Sequence, residues 1–312
     1  MNADERRAVE RRIGKDHLEH RLAKEAAYHE TPITLGYWKI RFGTSRKVMR
    51  AIETILKWTR LFEIGRRNLL DFRVVEHRAR LARLPEAFRG YRILHISDLH
   101  IEAFPDAGSR LKEIVRSIPA DLLVITGDFR YENWGTFDEA MGLLGRLLEG
   151  LSFPSGMAAV LGNHDSIEMV PHLERMGVRV LLNEAVPIRR GDHTIRLCGV
   201  DDPHFFELHD LDKAFQGIGP DEFKVLLAHS PDIAELAASY GVDYYLCGHS
   251  HGGQICLPGE VPIMANLRVS RRLFRGAWRH GRMEGYTSSG SGASGVPVRF
   301  FSRPEVTLHL MG

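Results

Sequence analysis

Residues 92–100 read RILHISDLH, and the same arrangement returns four times further along the chain. Residues 122–128 are LLVITGD, 157–165 MAAVLGNHD, 225–229 VLLAH and 244–254 YYLCGHSHGGQ. In each, a short run rich in Val, Ile and Leu stops at a polar cluster. Such runs read as strands buried on both faces of a sheet. Between them, residues 109–117, 137–149, 168–176 and 233–240 have helical spacing. Strand, polar loop, helix, strand predicts an α/β architecture whose loops gather a site at the strand ends. A second series, residues 186–190, 194–200, 298–301 and 306–310, predicts further strands, with 288–295 (SSGSGASG) as a loop.

Each polar cluster delivers groups that bind metal. They are Asp98 and His100, then Asp128, then Asn163-His164-Asp165, then His229, then His249 and His251. Any one of them has a dull explanation, because Asp caps helices and Gly-Asp pairs make turns. Five consecutive apolar runs ending this way do not. Carboxylate, carboxamide and imidazole donors suit manganese, iron or zinc, and the lack of thiolates argues against a closed structural zinc site. So many donors exceed the needs of one ion with an open position. They suit two ions ~3.5–4 Å apart with a shared carboxylate, an arrangement that activates water and clamps phosphoryl oxygens. If residues 249–251 are extended, both imidazoles point the same way and one loop reaches both ions. The glycines at 248, 252 and 253 let the backbone turn beside them.

DLH, GD, GNHD, a lone His after a strand and GHSHGGQ, in that order, resemble the calcineurin-like metallophosphoesterase superfamily. The resemblance covers residues 91–312 and lies with its bacterial YkuE/YaeI-like phosphodiesterase branch, whose relatives include UDP-diacylglucosamine pyrophosphatases. GVDDP at 199–203, HSPD at 229–232 and PVRF at 297–300 are smaller echoes. The resemblance implies a four-layer α/β/β/α sandwich. It implies that Asp98, His100 and His251 hold one metal, Asn163, His229 and His249 the other, and that Asp128 bridges them. His164 then faces the scissile phosphate, oriented by Asp165, and a hydroxide between the metals attacks phosphorus in line. Two divalent ions are implied as cofactors, manganese first, with iron or zinc as alternatives. Ser250 stands where the family usually has Thr, and both carry a hydroxyl.

Outside this core, residues 1–90 carry 21 Lys and Arg against 12 Asp and Glu, leaving 21 against 28 for residues 91–312. A basic helical extension (1–90) thus precedes an acidic catalytic domain (91–312), which suggests an anionic partner or surface. Residues 1–30 predict a solvated helix broken at Thr31-Pro32. From Ser45, Val48, Ile52, Ile55, Leu56, Thr59 and Phe62 recur at helical spacing among Lys47, Arg50, Lys57 and Arg60. That amphipathic helix either lies on the main domain or faces a membrane or partner, with Trp58 and Phe62 at the contact.

Between residues 268 and 282 the sequence holds six arginines and no acidic residue. Arg271, Arg272, Arg275 and Trp278 are therefore candidates for substrate phosphate and its attached group, against an ordinary basic loop. Three cysteines without a spacing motif imply reduced thiols. No apolar run approaches the ~18 residues of a membrane span. MNADERRAVERR lacks the apolar run of an export signal. The expected location is cytoplasmic, with peripheral contact on the inner membrane face.

The sequence therefore predicts a metal-dependent hydrolase of phosphodiester or pyrophosphate bonds in a phosphorylated small molecule or lipid. Two other readings stay open: a partner-binding scaffold on the same fold, and a nuclease or cyclic-nucleotide phosphodiesterase. Nucleic acid is the weaker substrate, because the domain with the site is acidic and shows no recognition motif.

Overall fold

A computed structural model describes residues 1–27, 34–35, 40–41, 45–263 and 270–312, with side chains except at 34–35, 40–41 and 45–48. The Thr31-Pro32 break, the Val48 and Lys47 side chains and Arg268 lie outside the described residues.

The chain begins with α1 (Ala3–Ile13) and α2 (Lys15–Ala27). Asn2 accepts from the amides of Asp4 and Glu5 while Glu5 bonds back to the Asn2 amide, so both first-turn donors and the cap are satisfied. Gly14, at φ 90°, separates the helices. This pair is not the solvated helix predicted. Val9, Ile13 and Leu18 are buried in the main core, and the charged residues cover the other faces. A two-stranded ribbon, β1 (Thr34–Leu35) with β2 (Ile40–Arg41), precedes α3 (Ser45–Trp58) and α4 (Phe62–Arg67).

Next come β3 (Arg73–Ala79), β4 (Arg92–Ile96), α5 (Ser109–Ser117), β5 (Leu122–Thr126) and α6 (Asp138–Leu148). They are followed by β6 (Met157–Val160), α7 (Val170–Arg175), β7 (Val178–Val180), β8 (Glu184–Arg190) and β9 (His193–Gly199). Then α8 (Leu211–Ala214), β10 (Lys224–Leu227), α9 (Ala234–Ser239) and β11 (Tyr244–Cys247) complete the motif-bearing part. A short ribbon, β12 (Cys256–Leu257) and β13 (Val261–Pro262), leads to the hairpin β14 (Gly276–His280) and β15 (Met283–Thr287), and β16 (Glu305–Met311) ends the chain.

Two six-stranded sheets result, in the orders β3-β16-β4-β5-β6-β7 and β14-β15-β11-β10-β9-β8. Apolar side chains sort into three slabs. Ile93, Val124 and Val160 of the first sheet meet Leu197, Val225 and Leu246 of the second. Leu94, Leu123 and Val180 face α1, α2, α5, α6 and α7 on the outer side of the first sheet. Leu226, Tyr245 and Cys198 face α8 and α9 on the outer side of the second. Each fully buried aliphatic side chain contributes roughly 1.5–3 kcal/mol through removal from water. The layers are helix, sheet, sheet, helix, as predicted.

Three local readings need correction. Residue 90 is not a packing boundary, because β3 pairs in parallel with β16 over Arg73–Ala79 inside the first sheet. Residues 298–301 form no strand; Phe300 makes only an isolated bridge with Ile255, and Pro297 ahead of them removes an amide donor that a ladder needs. Part of the arginine-rich segment, residues 276–280, is a strand, β14. The amphipathic helix is present as α3, but its inner face is Met49, Ile52 and Leu56, packed on Phe62, Val296 and Val298. Ile55 and Trp58 point outwards, 59% and 85% exposed.

What matters for function is direction. β4, β5 and β6 run parallel to one another, as do β10 and β11. Their C-terminal ends therefore open at common edges, where loops meet.

Candidate metal centre

The loops leave their strands sharply. Asp98, His100, Asp128, His249 and His251 all have positive φ, between 40° and 72°. Non-glycine residues avoid this region, at a cost of ~1–3 kcal/mol each, so the surrounding contacts must over-determine them. Some of those contacts are visible. The Asp98 amide donates to the Gly127 carbonyl at 2.9 Å and the His100 amide to the Asp128 carbonyl at 3.0 Å, tying the first two loops together. The His249 amide donates to the Asp98 carboxylate at 3.0 Å, tying the last loop to the first.

Three glycines precede ligands for want of space. A Cβ on Gly248 would collide with Ser97 Oγ and Asp98 Oδ2, and one on Gly162 with Asp128 Oδ1. One on Gly127 would press on the Gly162 amide. Gly248→Ala is expected to push Asp98 out of place and to lower bound metal per chain at least tenfold at subsaturating metal. Elemental analysis of the purified variant checks it; wild-type metal content would contradict this tight fit.

Two groups of donors form, and they share one residue. Asp98, His100, Asp128 and His251 can bring one atom each within 4.8 Å of one another, and so can Asp128, His229 and His249. Asp128 Oδ2 lies 3.4 Å from His100 Nε2 and 3.4 Å from His229 Nε2. Asn163 Oδ1 lies 3.1 Å from His229 Nε2, which places it with the second group. His251 Nε2 is 3.4 Å from Asp98 Oδ1 and 3.2 Å from His100 Nε2. The 249–251 turn is not extended. Ser250 is helical between two left-handed residues, and its hydroxyl donates to the Phe274 carbonyl at 2.6 Å. This left-right-left turn still sends His249 to one group and His251 to the other.

The donors fit cations. His100 Nδ1 lies 2.9 Å from the Arg130 carbonyl and His229 Nδ1 2.8 Å from the Thr126 carbonyl. A carbonyl only accepts, so each Nδ1 carries a proton and Nε2, directed at Asp128, is the atom left to ligate. Ring nitrogens facing a carboxylate in a buried pocket call for a positive charge between them, a proton or a metal cation. His251 Nδ1, also buried, has no hydrogen-bond partner among the described residues. Imidazole, carboxylate and carboxamide are donors for manganese, iron or zinc, and no thiol stands among them. The Cys247 thiol, held far above its ordinary range by burial, instead contacts Thr287 Oγ1.

Burial sets the charge states. It pushes His100 down to about 3 and, helped by neighbouring imidazoles, holds His249 and His251 well below the usual histidine range. These rings are neutral, the ligating form. At His229 burial pulls down but the Asp128 carboxylate prevails and raises it, while Asp128 itself, against the cost of burial, is lowered by His229. That mutual attraction is the electrostatic opening a divalent ion fills.

His164 stands at the rim, half-buried. Its amide donates to Asp128 Oδ1 at 2.8 Å, its Nδ1 lies 2.6 Å from the Tyr131 carbonyl, and its Nε2 is 3.4 Å from Ser294 Oγ. Its ring meets His100 edge-on, 4.6 Å between centroids. Asp165 does not orient it, contrary to the sequence reading. The Asp165 carboxylate turns inward and accepts from the amides of Gly162, Asp128 and Phe129, each at 2.8 Å. Asp165 is therefore a backbone clamp joining two metal loops, and the Tyr131 carbonyl sets the imidazole.

Several supports were missed in the sequence. Arg299 is fully buried without a carboxylate partner among the described residues, and burial lowers it to about 10. It donates to the carbonyls of Gly292 (2.8 Å), Ser289 (2.8 Å) and His251 (3.2 Å), pinning the 288–292 loop against the site. His204 bonds the Asp232 carboxylate and packs 4.2 Å from the His249 ring. Arg21 reaches in from α2, wholly buried. It donates to the Asp165 carbonyl at 2.8 Å, pairs with Asp201 at 3.2 Å and lies over the Phe206 ring. The echoes GVDDP, HSPD and PVRF contain Asp201, Asp232 and Arg299; nothing local marks Arg21.

The proposed substrate residues fare differently. Trp278 is buried, bonds Thr287 Oγ1 at 2.9 Å and meets Tyr245 edge-on, so it is a core residue. Its alternation with exposed Ala277 and Arg279 is that of a strand, and it fills the space over Gly285. Arg275 pairs with Glu260 at 2.8 Å. Arg271 and Arg272 are exposed on the turn before β14.

Fold and site together define a metal-dependent phosphoester hydrolase. The chain belongs to the calcineurin-like phosphoesterases, whose family model matches residues 91–253. It is 32% identical over 225 residues to the uncharacterized metallophosphoesterase YkoQ of Bacillus subtilis, covering 70% of this chain and 82% of that protein. It is 29% identical over 242 residues to YkuE of the same organism, covering 75% and 83%. It is also 28% identical over 289 residues to the UDP-2,3-diacylglucosamine pyrophosphatase LpxG of Chlamydia muridarum, covering 72% and 86%. Among the described residues, no helix is long and apolar enough to cross a membrane.

Proposed function

We propose that this chain is a dinuclear phosphohydrolase that cleaves phosphodiester or pyrophosphate bonds. The observation that carries the proposal is the pair of donor groups joined through Asp128. Asp98, His100 and His251 would hold one ion, Asn163, His229 and His249 the other, with manganese the favoured metal. When bound, two such ions lower the pKa of a water and polarise the phosphoryl oxygens.

The protein's own part is geometry and proton placement. Asp128 is fixed by the His164 amide on one oxygen, which leaves the other facing both groups. His164 has Nδ1 on the Tyr131 carbonyl, so a proton arriving at Nε2 makes that nitrogen a donor at the pocket rim. It can then bond a phosphoryl oxygen or protonate the departing one. The buried side chains beneath exclude bulk water, so each of these interactions acts in a low dielectric.

The preference for diesters and anhydrides rests on likeness to the LpxG pyrophosphatase. It is tested by comparing bis-p-nitrophenyl phosphate, p-nitrophenyl phosphate, a nucleotide diphosphate-linked lipid, cyclic AMP and DNA with added manganese. A kcat/KM for the diester or the lipid-linked anhydride at least tenfold above the monoester is expected. Preference for the monoester would overturn the bond assignment, whereas preference for cyclic AMP or DNA, themselves phosphodiesters, would keep the bond type and overturn the small-molecule or lipid substrate. No turnover of any of them would overturn the hydrolase reading.

A further inference from the structure

We infer that α3 and α4, with the loop and ribbon beneath them, form a docking surface for an anionic lipid bilayer, placed at the rim of the catalytic pocket. The inference deepens the functional reading, on which it rests, by assigning the substrate to amphiphiles whose phosphoryl group sits at the membrane interface.

Four apolar side chains on these helices and the turn between them face outwards: Ile55 at 59%, Trp58 at 85%, Leu61 at 42% and Ile64 at 45% exposed. Exposed Leu257 and Phe301 extend the apolar surface on neighbouring segments. These segments form one unit, since Ile255 bridges Phe300 and both pack with α3 and α4 on Phe62, Val296 and Val298. Isolated exposed apolar residues need no explanation; a connected set does.

Charge selects the occupant. Arg50, Arg60 and Arg67 are exposed on the same helices and the turn between them and make no ion pair among the described residues, while Lys57 pairs with Glu53. Glu53 and Glu63 are the only acidic residues from 45 to 67, against seven Lys and Arg. A Trp beside aliphatic and basic residues suits the headgroup layer: the indole and aliphatics enter the acyl boundary and the cations meet anionic headgroups.

Position supplies the functional link. Tyr131 Oη donates to the Gly295 carbonyl at 2.6 Å, and Met49 of α3 lies against Gly295. The next residue back, Ser294, contacts His164 Nε2. The apolar surface is thus separated from the proposed proton donor by a single loop, 294–298. A lipid headgroup leaving the bilayer would have little distance to travel.

The test is sedimentation of the full-length protein with vesicles of phosphatidylcholine alone and with roughly one-third phosphatidylglycerol, at low and high salt. Wild type is expected to bind the anionic vesicles at low salt, at least tenfold better than the neutral ones, and to be released by salt. Ile55→Ser with Trp58→Ser is expected to weaken that binding at least tenfold. Both proteins should hydrolyse soluble bis-p-nitrophenyl phosphate equally, because neither residue touches the pocket. Failure of wild type to bind, or unchanged binding of the variant, overturns the docking surface even where hydrolysis is intact. Loss of soluble hydrolysis by wild type instead strikes the catalytic reading. A wild-type dimer that the double substitution dissolves, without vesicle binding, assigns the face to a second copy of the chain and overturns the inference.

Discussion

Asp128→Asn reduces hydrolysis of bis-p-nitrophenyl phosphate by on the order of 10³-fold in kcat/KM, and the protein remains folded. The carboxylate is the one residue common to both donor groups, lying 3.4 Å from the Nε2 atoms of His100 and His229. Asparagine keeps the volume and the acceptor for the His164 amide but removes the charge. Without that charge the two ions of the proposed centre would repel each other less screened, and several kcal/mol of transition-state stabilisation would go, each ~1.4 kcal/mol being tenfold. Thermal unfolding followed by circular dichroism should show a change small beside the loss of activity. Near-wild-type turnover would remove Asp128 from the bridging position.

His164→Ala costs ~10²–10⁴-fold in kcat while leaving metal content and metal affinity unchanged. The ring is half-buried at the rim and takes part in neither donor group. Its backbone amide, which an alanine retains, is what holds Asp128 Oδ1. The deficit should be smaller for esters with an activated leaving group such as p-nitrophenolate than for an alkyl leaving group, since the former needs no proton. Equal losses on both would make His164 a charge stabiliser and not an acid. A loss of metal would make it a ligand.

Much of this site can be read from the chain because its chemistry sits at strand ends. Runs such as LLVIT are legible as buried strands, and parallel pairing then brings Asp98, Asp128 and Asn163 to one edge without further information. Elements with weak apolar signal are less legible. The strand β3, RVVEHRA, alternates between half-buried and exposed positions until Ala79 at its end, and its charges disguise it. In α1 and α2 three apolar residues and one arginine do the packing, and Arg21 is stable in the interior only because Asp201 and Glu25, remote or one turn away, neutralise it. Trp278 was misplaced because an arginine-rich neighbourhood looks like a ligand surface, whereas strand alternation put the indole inside and the guanidinium of Arg279 outside. The left-handed backbone at five candidate ligands has only a weak local signature: Asp and His enter that region more often than most residues, but the tertiary contacts of neighbouring loops impose it. Asp165 follows the same logic, adjacent in sequence to His164 but committed to three amides of the loops behind it.

The most direct test of the centre is metal stoichiometry. Protein stripped with chelator, reloaded with manganese and freed of excess should contain about two ions per chain by elemental analysis, in line with paired sites that share a carboxylate. Activity should rise with occupancy of the second ion. A plateau at one ion per chain with full activity, or turnover in the fully stripped protein, would contradict the two-ion centre.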